Sequence, residues 1–261
     1  MGSIVSGAVT WLLDLDGVVW LADEPIPGSA DAIARLRAEG QRVVFLTNNS
    51  SATVREYVEK LRRVGVPTPA DDLITSAQAA AALCQPGEVA LVCAGPGVDE
   101  ALRARGVTTV REGKADVVVV GWHRDFDFSR LTAASDAVHN GARLIGTNDD
   151  ATYPTPDGPL PGGGSILAAV AYATGVVPTV AGKPNAPMAE LLRARVDDPV
   201  IMVGDRPSTD GLFARRIGVP FGLVLSGVAD AGEAAALDPH PDQIGADLAA
   251  LVAQAYGGES A

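Results

Sequence analysis

Cysteine, lysine and long apolar runs are scarce in this chain of 261 residues. Its two cysteines, Cys84 and Cys93, are too few for a disulfide framework and fit small buried thiols in a reducing compartment. No apolar run approaches the roughly 18 residues that suggest a membrane span, and the N-terminus carries no basic segment of a secretory signal. We therefore expect a cytoplasmic protein with no membrane partner.

Positively charged residues are also scarce: the chain has 20 lysines and arginines but 32 aspartates and glutamates, and its formal net charge is −12. Nucleic acids and anionic membranes repel such a chain, so nonspecific binding to either is disfavoured. A small anionic substrate is still compatible with this charge, because a metal ion and a few local donors can reverse the local field. We expect no nucleic-acid partner.

The chain does contain a regular alternation of short β-branched runs and helical stretches. This pattern is typical of βαβ units and predicts an α/β fold with a doubly wound parallel sheet. The first strand is predicted over residues 9–13. The first helix is predicted over residues 29–39 with Ser29 as its N-cap, and Thr53 and Glu56 are placed to form a capping box for the second helix.

A second, smaller α/β unit is predicted as an insertion in the first. The alternation of predicted strands and helices begins again near residue 89. We expect residues 77–179 to form this inserted domain, and residues 1–76 and 180–261 to form the core. A strand over residues 177–181 is expected to resume the buried sheet of the core.

Polar side chains directly follow four of the predicted strands. Because the carboxyl ends of parallel strands meet at one edge of a sheet, residues far apart in sequence are expected to share a pocket there. Carboxylates form an oxygen-rich site suited to Mg²⁺, and a hydroxyl, backbone N–H groups and a lysine form a cradle for phosphate. The residues concerned are Asp14, Asp16, Thr47, Asn48, Lys183 and Asp205.

Each of these groups has a simpler interpretation when it is taken alone. Asp14 and Asp16 could cap a helix or form an Asx turn, and Asp205 and Asp210 could be N-caps of the helix that follows them. Arg206 is expected to be structural. It is the combination of four such strand ends that favours a functional site.

Four segments resemble the motifs of the haloacid dehalogenase superfamily of phosphatases, in the same order along the chain. They are Asp14-Leu15-Asp16-Gly17-Val18, Thr47-Asn48-Asn49, Gly182-Lys183-Pro184 and Gly204-Asp205-Arg206-Pro207-Ser208-Thr209-Asp210. The block between the second and third motifs resembles the cap of the NagD / 4-nitrophenylphosphatase branch (subfamily IIA), and the whole chain is similar to actinobacterial glycerol-3-phosphate phosphatases. The resemblance implies a Rossmann-like catalytic core with an inserted cap domain that sets substrate specificity. Val18 stands where the first motif often has threonine.

This resemblance implies a Mg²⁺-dependent phosphatase that works through an aspartyl-phosphate intermediate. Asp14 would be the nucleophile, and Asp16 would protonate the leaving group and then activate water. The metal would be bound by the Asp14 carboxylate, the Asp16 backbone carbonyl and Asp205, with Asp210 in its outer layer.

The resemblance also implies the contacts to phosphate and substrate. Thr47 and the backbone N–H of Asn48 would bind phosphoryl oxygens, and Lys183 would neutralise charge on the phosphoryl group and on Asp14. Tyr153 matches a cap position that faces the substrate, where its phenol could stack on a ring or hydrogen-bond a polyol; the alternative is that it packs within its loop. The partner is then a small phosphorylated metabolite.

Several functions remain open at this point. The substrate could be glycerol 3-phosphate, phosphoglycolate, a nucleoside monophosphate or pyridoxal phosphate. The alternatives to a phosphatase are a non-catalytic phosphate-binding or regulatory protein, an aspartate-phosphorylated signalling domain and a phosphoryl transferase. The intact Asp16 disfavours the first two, and the large cap disfavours the transferase. A homodimer is kept open as the assembly.

Overall fold

The computed structural model describes residues 9–155 and 157–256, and strands alternate with helices along them. The strands are β1 (Thr10–Leu13), β2 (Trp20–Leu21), β3 (Glu24–Pro25), β4 (Arg42–Thr47), β5 (Leu73–Thr75), β6 (Val89–Cys93), β7 (Thr108–Val110), β8 (Val117–Val120), β9 (Arg143–Gly146), β10 (Thr152–Tyr153), β11 (Leu160–Pro161), β12 (Thr179–Val180), β13 (Pro199–Gly204), β14 (Phe221–Val224) and β15 (Gln243–Gly245). The helices are α1 (Ser29–Ala38), α2 (Val54–Arg63), α3 (Ser76–Ala82), α4 (Pro96–Ala104), α5 (Phe128–His139), α6 (Gly163–Thr174), α7 (Ala186–Arg193), α8 (Leu212–Ile217), α9 (Ala231–Ala236) and α10 (Leu248–Tyr256). Ala70–Asp72 forms a 3₁₀ turn, and Pro207–Gly211 forms a π-helical turn.

The larger sheet has six parallel strands in the order β15-β14-β13-β1-β4-β5. From β1 the chain moves outwards through β4 to β5, and it later returns beside β1 as β13 and moves outwards the other way through β14 to β15. The strand order therefore reverses between β1 and β13, where an open α/β sheet forms a crevice at the carboxyl ends of its strands. The predicted fold class, α/β with a doubly wound parallel sheet, is confirmed.

Strand β1 is buried on both faces, in keeping with its three consecutive apolar side chains. Trp11, Leu12 and Leu13 are each at most 1% exposed, and the strand lies between β13 and β4. Leu13 is paired with Val203 on one side and with Phe45 on the other. The residues that follow these three strands therefore leave the sheet close to one another.

A second, five-stranded parallel sheet has the order β12-β9-β8-β6-β7. Val118 and Val120 of β8 belong to its core, together with apolar side chains such as Leu167 of α6. The strand expected over residues 177–181 is shorter and lies in this sheet, because β12 covers only Thr179–Val180 and pairs with β9. It is an edge strand of the second sheet and not a buried strand of the core.

The division into a core (residues 1–76 and 180–261) and an inserted cap (residues 77–179) stays a prediction, and the outermost residues of the core lie outside the described part of the chain. The larger sheet takes its strands from both ends of the described sequence, and the smaller sheet takes them from residues 89–180. We call residues 89–180 the small-sheet unit.

Two predicted helix starts have different outcomes. The capping box is confirmed, because the side chains of Thr53 and Glu56 each accept a hydrogen bond from the backbone N–H of the other. The N-cap at Ser29 is wrong: Gly28 precedes α1 at a φ of 81°, and the Ser29 hydroxyl donates to the Val18 carbonyl oxygen at 2.8 Å. This bond ties α1 to the loop that follows β1.

Of the helices in the described residues, none is long and apolar enough to cross a membrane.

Candidate active site

A cavity of about 60 Å³ lies at the carboxyl edge of the larger sheet, where β1 and β13 meet. The small-sheet unit contributes the loop after β9 and the start of α6 to its wall. Seven predicted site residues line the cavity, namely Asp14, Asp16, Thr47, Asn48, Tyr153, Lys183 and Asp205. The eighth, Asp210, is completely buried beside Lys183.

Lys183 lies at the centre of this cluster and is 1% exposed. Its ammonium group donates to Asp14 Oδ1 at 2.9 Å, to Asp210 Oδ1 at 2.7 Å and to the Leu46 carbonyl oxygen at 3.1 Å. An ammonium group has three N–H donors, so all of them are engaged. Lys183 therefore holds the candidate nucleophile Asp14 in one position.

Asp205 follows β13 and is held against two backbone segments. Its Oδ2 accepts a hydrogen bond from the Val228 N–H at 2.7 Å. Gly17 has a φ of 81°, and a Cβ at this position would lie 2.3 Å from Asp205 Oδ2. Both the backbone angle and the carboxylate exclude a side chain there, which explains the glycine that follows Asp16.

Three buried carboxylates are close enough to share a metal ion. Asp14, Asp205 and Asp210 each offer an oxygen within 4.8 Å of the others. Both oxygens of Asp210 already accept hydrogen bonds, from Lys183 and from the Arg206 N–H. Among the described residues, Asp14 Oδ2 and Asp205 Oδ1 have no hydrogen-bond partner. This pair of hard oxygen ligands fits Mg²⁺, and Asp210 fits the outer layer of such a site.

Burial dominates the electrostatics of this cluster. It raises the pKa of Asp14 well above its usual value, although Lys183 opposes the rise, and it raises the pKa of Asp205 to about 7, with Asp210 adding to the shift. Burial by itself lowers the pKa of Lys183, but Asp14 and Asp210 outweigh it and raise that pKa above its usual value. This site, which is shielded from water, holds three carboxyl groups and only one ammonium group. The carboxyl groups therefore retain a proton unless a further cation compensates the excess negative charge.

This buried negative charge predicts that the metal-free protein loses stability as the pH rises. Asp205 has a pKa near 3.9 in an unfolded chain and a pKa of about 7 in the folded protein, so the folded state binds more protons between these values. The free energy of unfolding should therefore fall by about 4 kcal/mol over that range. Bound Mg²⁺ should restore it at neutral pH, because a cation favours the ionised carboxylates.

Thermal unfolding at about pH 5 and about pH 8, with Mg²⁺ and with a chelator, measures both effects. The matched control is Asp205→Asn, which removes the Asp205 titration and should make the metal-free profile less steep. A metal-free protein whose melting temperature rises over this interval would contradict the interpretation of Asp205 as a buried acid that needs a cation.

Asp16 has a different environment from Asp14. Its Oδ1 accepts hydrogen bonds from Trp20 Nε1 and from the Tyr153 hydroxyl, each at 3.1 Å. Burial raises the pKa of Asp16, while Lys60 and these two hydrogen bonds oppose the rise. A raised pKa suits a group that gives up a proton and takes one back. The metal contact through its backbone carbonyl stays a prediction.

Tyr153 belongs to the small-sheet unit and reaches Asp16 across the cavity. Its ring centroid lies 5.6 Å from that of Trp122, and Trp122 Nε1 donates to the Pro161 carbonyl oxygen at 2.9 Å. Burial raises the pKa of Tyr153, and Asp16 adds to the rise, so the phenol stays protonated and donates. Its part in substrate specificity stays a prediction.

Thr47 and Asn48 follow one another at the end of β4. Thr47 Oγ1 accepts from the Asn49 N–H at 3.0 Å. The Asn48 side chain is fully engaged: Oδ1 accepts from the Lys183 N–H at 2.8 Å, and Nδ2 donates to the Lys183 carbonyl oxygen and to Asp150 Oδ2, each at 3.0 Å. The Asn48 backbone N–H has no partner among the described residues. It is therefore available for a phosphoryl oxygen.

Asp150 and Arg206 are site residues that sequence reasoning missed. Asp150 Oδ1 lies 3.3 Å from Arg206 Nη1, and Arg206 Nη2 donates to the Thr152 carbonyl oxygen at 3.3 Å. Arg206, expected to be structural, also lines the cavity. One signal was present: Thr147-Asn148 directly follows β9, and the same two residue types, Thr47-Asn48, stand at the end of β4. This repeat marks the loop that contains Asp150.

Two family matches include the four motifs. Residues 11–108 match the haloacid dehalogenase-like hydrolases, and residues 180–251 match the HAD-hydrolase-like family. The first range contains Asp14 and Thr47, and the second contains Lys183 and Asp205. The matched ranges therefore include the residues that meet at the cavity.

Curated relatives with similar sequences are phosphatases. D-glycerol 3-phosphate phosphatase of Mycobacterium tuberculosis is 36% identical over 260 residues, which cover 96% of this chain and 73% of that protein. Acid sugar phosphatase of Staphylococcus saprophyticus is 34% identical over 84% of this chain and 86% of that protein.

Solved structures that are similar to this chain include phosphatases as well. The crystal structure of the glycerol phosphate phosphatase of Mycobacterium tuberculosis in complex with magnesium matches with a TM-score of 0.86 and 35% identity, over 96% of this chain and 78% of that chain. The p-nitrophenyl phosphatase from Archaeoglobus fulgidus matches with a TM-score of 0.85 and 30% identity, over 95% of this chain and 100% of that chain. The predicted resemblance to the 4-nitrophenylphosphatase branch is confirmed.

Proposed function

The chain belongs to the haloacid dehalogenase-like hydrolase family, and we propose that it removes phosphate from small phosphorylated polyols. It is a phosphatase of that family, and the alternative of a non-catalytic binding protein is set aside. The observation that supports the proposed chemistry best is the cluster of Asp14, Lys183 and Asp205 beside a small cavity that Tyr153 also lines.

Asp14 is the proposed nucleophile. Its carboxylate would attack phosphorus, which forms the aspartyl phosphate and breaks the bond to the leaving oxygen. The Thr47 side chain and the Asn48 N–H would hold the phosphoryl oxygens in line, and Lys183 would offset negative charge on the phosphoryl group and on Asp14. Because Lys183 already binds Asp14 Oδ1 at 2.9 Å, the nucleophile is positioned before the substrate arrives.

Asp16 is the proposed acid and base. Its proton would go to the leaving oxygen in the first step. In the second step it would take a proton from the water that attacks phosphorus, which releases phosphate and restores Asp14. The hydrogen bond from Tyr153 to Asp16 Oδ1 supports this role, because it fixes the position of the carboxyl group.

Asp14 and Asp205 would hold Mg²⁺, which when bound supplies positive charge that offsets the repulsion between the Asp14 carboxylate and the phosphate. The two carboxylate oxygens without protein partners support this assignment, as does the magnesium complex of the mycobacterial relative. Asp210 would act from the outer layer, since it already holds Lys183 and the Arg206 N–H.

The size and the walls of the cavity support a small substrate. A volume of about 60 Å³ is far below the roughly 300–1,000 Å³ of pockets that enclose drug-sized ligands. The rings of Trp122 and Tyr153 lie against each other and leave no slot between them for a planar base. We therefore favour glycerol 3-phosphate or a small sugar phosphate over a nucleoside monophosphate or pyridoxal phosphate.

A phosphate-release assay over a panel of phosphomonoesters tests this function. We expect turnover that requires Mg²⁺ and is lost in chelator, with a higher kcat/KM for glycerol 3-phosphate than for phosphoglycolate, a nucleoside monophosphate or pyridoxal phosphate. Turnover that survives chelation would contradict the metal site. A preference for a nucleotide or for pyridoxal phosphate would contradict the substrate class.

We propose further that residues 77–179 act as a cap domain and that the protein works in the cytoplasm. Cys84 and Cys93 are both unpaired and buried, which supports a reducing compartment. A homodimer stays a prediction. Tyr172 and Val177 of the small-sheet unit are 94% and 90% exposed and are side chains that such an assembly could cover.

A further inference from the structure

The cations of the cavity wall are already neutralised by the protein itself. Among the described residues that line the cavity, the cationic side chains are Lys183 and Arg206. Lys183 lies between the carboxylates of Asp14 and Asp210. Arg206 is paired with Asp150. A substrate therefore meets no unpaired cation on this part of the wall.

The Asp150–Arg206 pair is held in place from both sides. Asp150 Oδ2 accepts from Asn48 Nδ2 at 3.0 Å, and the Asp150 N–H donates to Asn148 Oδ1 at 3.2 Å. Arg206 also donates to the Thr152 carbonyl oxygen. The side chains of Arg206 and Asp150 are only 16% and 17% exposed. A shielded ion pair with further hydrogen bonds is fixed, so the guanidinium group does not turn freely to a substrate.

A substrate with a carboxylate in addition to its phosphate is disfavoured by this arrangement. Asp150 lines the cavity, and its negative charge repels a substrate carboxylate where no free cation offsets that carboxylate. Hydroxyl groups meet no such repulsion, because they can donate to carboxylate oxygens.

We propose that Asp150 is a specificity-determining residue: by holding Arg206, it restricts the substrates to phosphomonoesters whose leaving group is an uncharged polyol. This inference rests on the proposed phosphatase function and deepens it. A neutral residue at position 150 leaves the Arg206 guanidinium unpaired on the cavity wall. An unpaired guanidinium binds carboxylates through two parallel hydrogen bonds, so the variant should accept carboxylated substrates.

Glycerol 3-phosphate and 3-phosphoglycerate form a matched pair of test substrates. Both are three-carbon phosphate esters, and a hydroxymethyl group in the first is a carboxylate in the second. The quantity to measure is the carboxylate ratio, which is kcat/KM for 3-phosphoglycerate divided by kcat/KM for glycerol 3-phosphate. In Asp150→Asn this ratio should rise about 10- to 100-fold, the range expected from one hydrogen bond to a charged group.

Two further variants identify the cause of the gain. Asp149→Asn makes the same chemical change on an exposed neighbour in the same loop and should leave the carboxylate ratio unchanged. Arg206→Gln in the Asp150→Asn background should abolish the gain, because the guanidinium group is what Asp150 releases. If Asp150→Asn does not fold, Asp150→Ser supplies a smaller neutral residue at the same position.

A carboxylate ratio within about twofold of the wild-type value in a folded neutral variant would overturn the proposal. Equal gains for both substrates would overturn it as well, because Arg206 would then act on the shared phosphate. If the wild-type protein is active and the carboxylate ratio is unchanged in the variants, only this inference is refuted. A wild-type protein that hydrolyses no phosphomonoester refutes the proposed function and this inference with it.

Discussion

Asp14→Asn is expected to lower Mg²⁺-dependent phosphate release by about 10⁴-fold or more. An amide is a poor nucleophile, and the substitution also removes one of the two carboxylates proposed to hold the metal ion. The change is nearly isosteric, and the residue is 9% exposed with its backbone N–H bonded to the Val203 carbonyl oxygen at 2.9 Å. The end of β1 should therefore keep its structure while the chemistry is lost.

Asp149→Asn is the matched control for this substitution. It replaces the same functional group on an exposed residue of the loop after β9, so it should keep wild-type turnover. Circular dichroism and the melting temperature show whether both variants are folded. A folded Asp14→Asn protein that releases phosphate at more than about a tenth of the wild-type rate would exclude Asp14 as the nucleophile. Direct attack by water that Asp16 activates would then take its place.

Lys183→Met is expected to reduce the free energy of unfolding by about 3–5 kcal/mol at neutral pH. The ammonium group lies between Asp14 and Asp210, and its loss leaves two buried carboxylates without a counter-charge. Methionine fills much of the same space, so an empty cavity contributes little. Phosphate release should fall about 10³-fold in the same variant, because the positive charge beside Asp14 and the phosphoryl group is lost.

Urea unfolding in chelator measures this loss, and its pH dependence tests the cause. Burial raises the pKa of Asp14, so its protonation at acid pH removes uncompensated charge and the difference from wild type should shrink there. Lys114→Met is the matched control, since Lys114 is exposed and its substitution should change stability by less than about 0.5 kcal/mol. A Lys183→Met protein as stable as wild type at neutral pH would show that the lysine does not hold this cluster together.

The part of the site contributed by the larger sheet could be predicted from the sequence. Asp14, Thr47 and Asp205 each lie at the end of a strand, and parallel pairing brings such ends together without any contact outside the sheet. The pairing of Leu13 with Val203 and Phe45 produces this result. A local pattern of apolar runs followed by polar residues was therefore sufficient.

The Asp150–Arg206 pair could not be predicted in the same way. Asp150 follows β9 of the smaller sheet and Arg206 follows β13 of the larger one, so the two side chains meet only where the sheets' loops come together. Arg206 also precedes the π-helical turn Pro207–Gly211, a rare backbone form that residue periodicity does not predict. Contacts of this kind depend on tertiary packing and produce no periodic residue pattern in the sequence.

Ser29 is a second residue whose contact could not be predicted from the local sequence. Serine is a preferred N-cap, and its position before an apolar-periodic segment predicted that role. In the structure its hydroxyl instead donates to the Val18 carbonyl oxygen, 11 residues earlier in the chain. Gly28 takes the position before α1. A local preference was therefore overridden by a hydrogen bond that depends on tertiary structure.

Asp14 is proposed to carry the phosphoryl group during turnover, and mass spectrometry tests this most directly. The protein is mixed with Mg²⁺ and saturating glycerol 3-phosphate, quenched in acid while turnover continues, and digested. We predict that the peptide containing Asp14 gains the mass of one phosphoryl group, and that this gain is absent in chelator and in Asp14→Asn. Turnover with an unmodified Asp14 peptide, or with the phosphoryl group on another residue, would contradict the account.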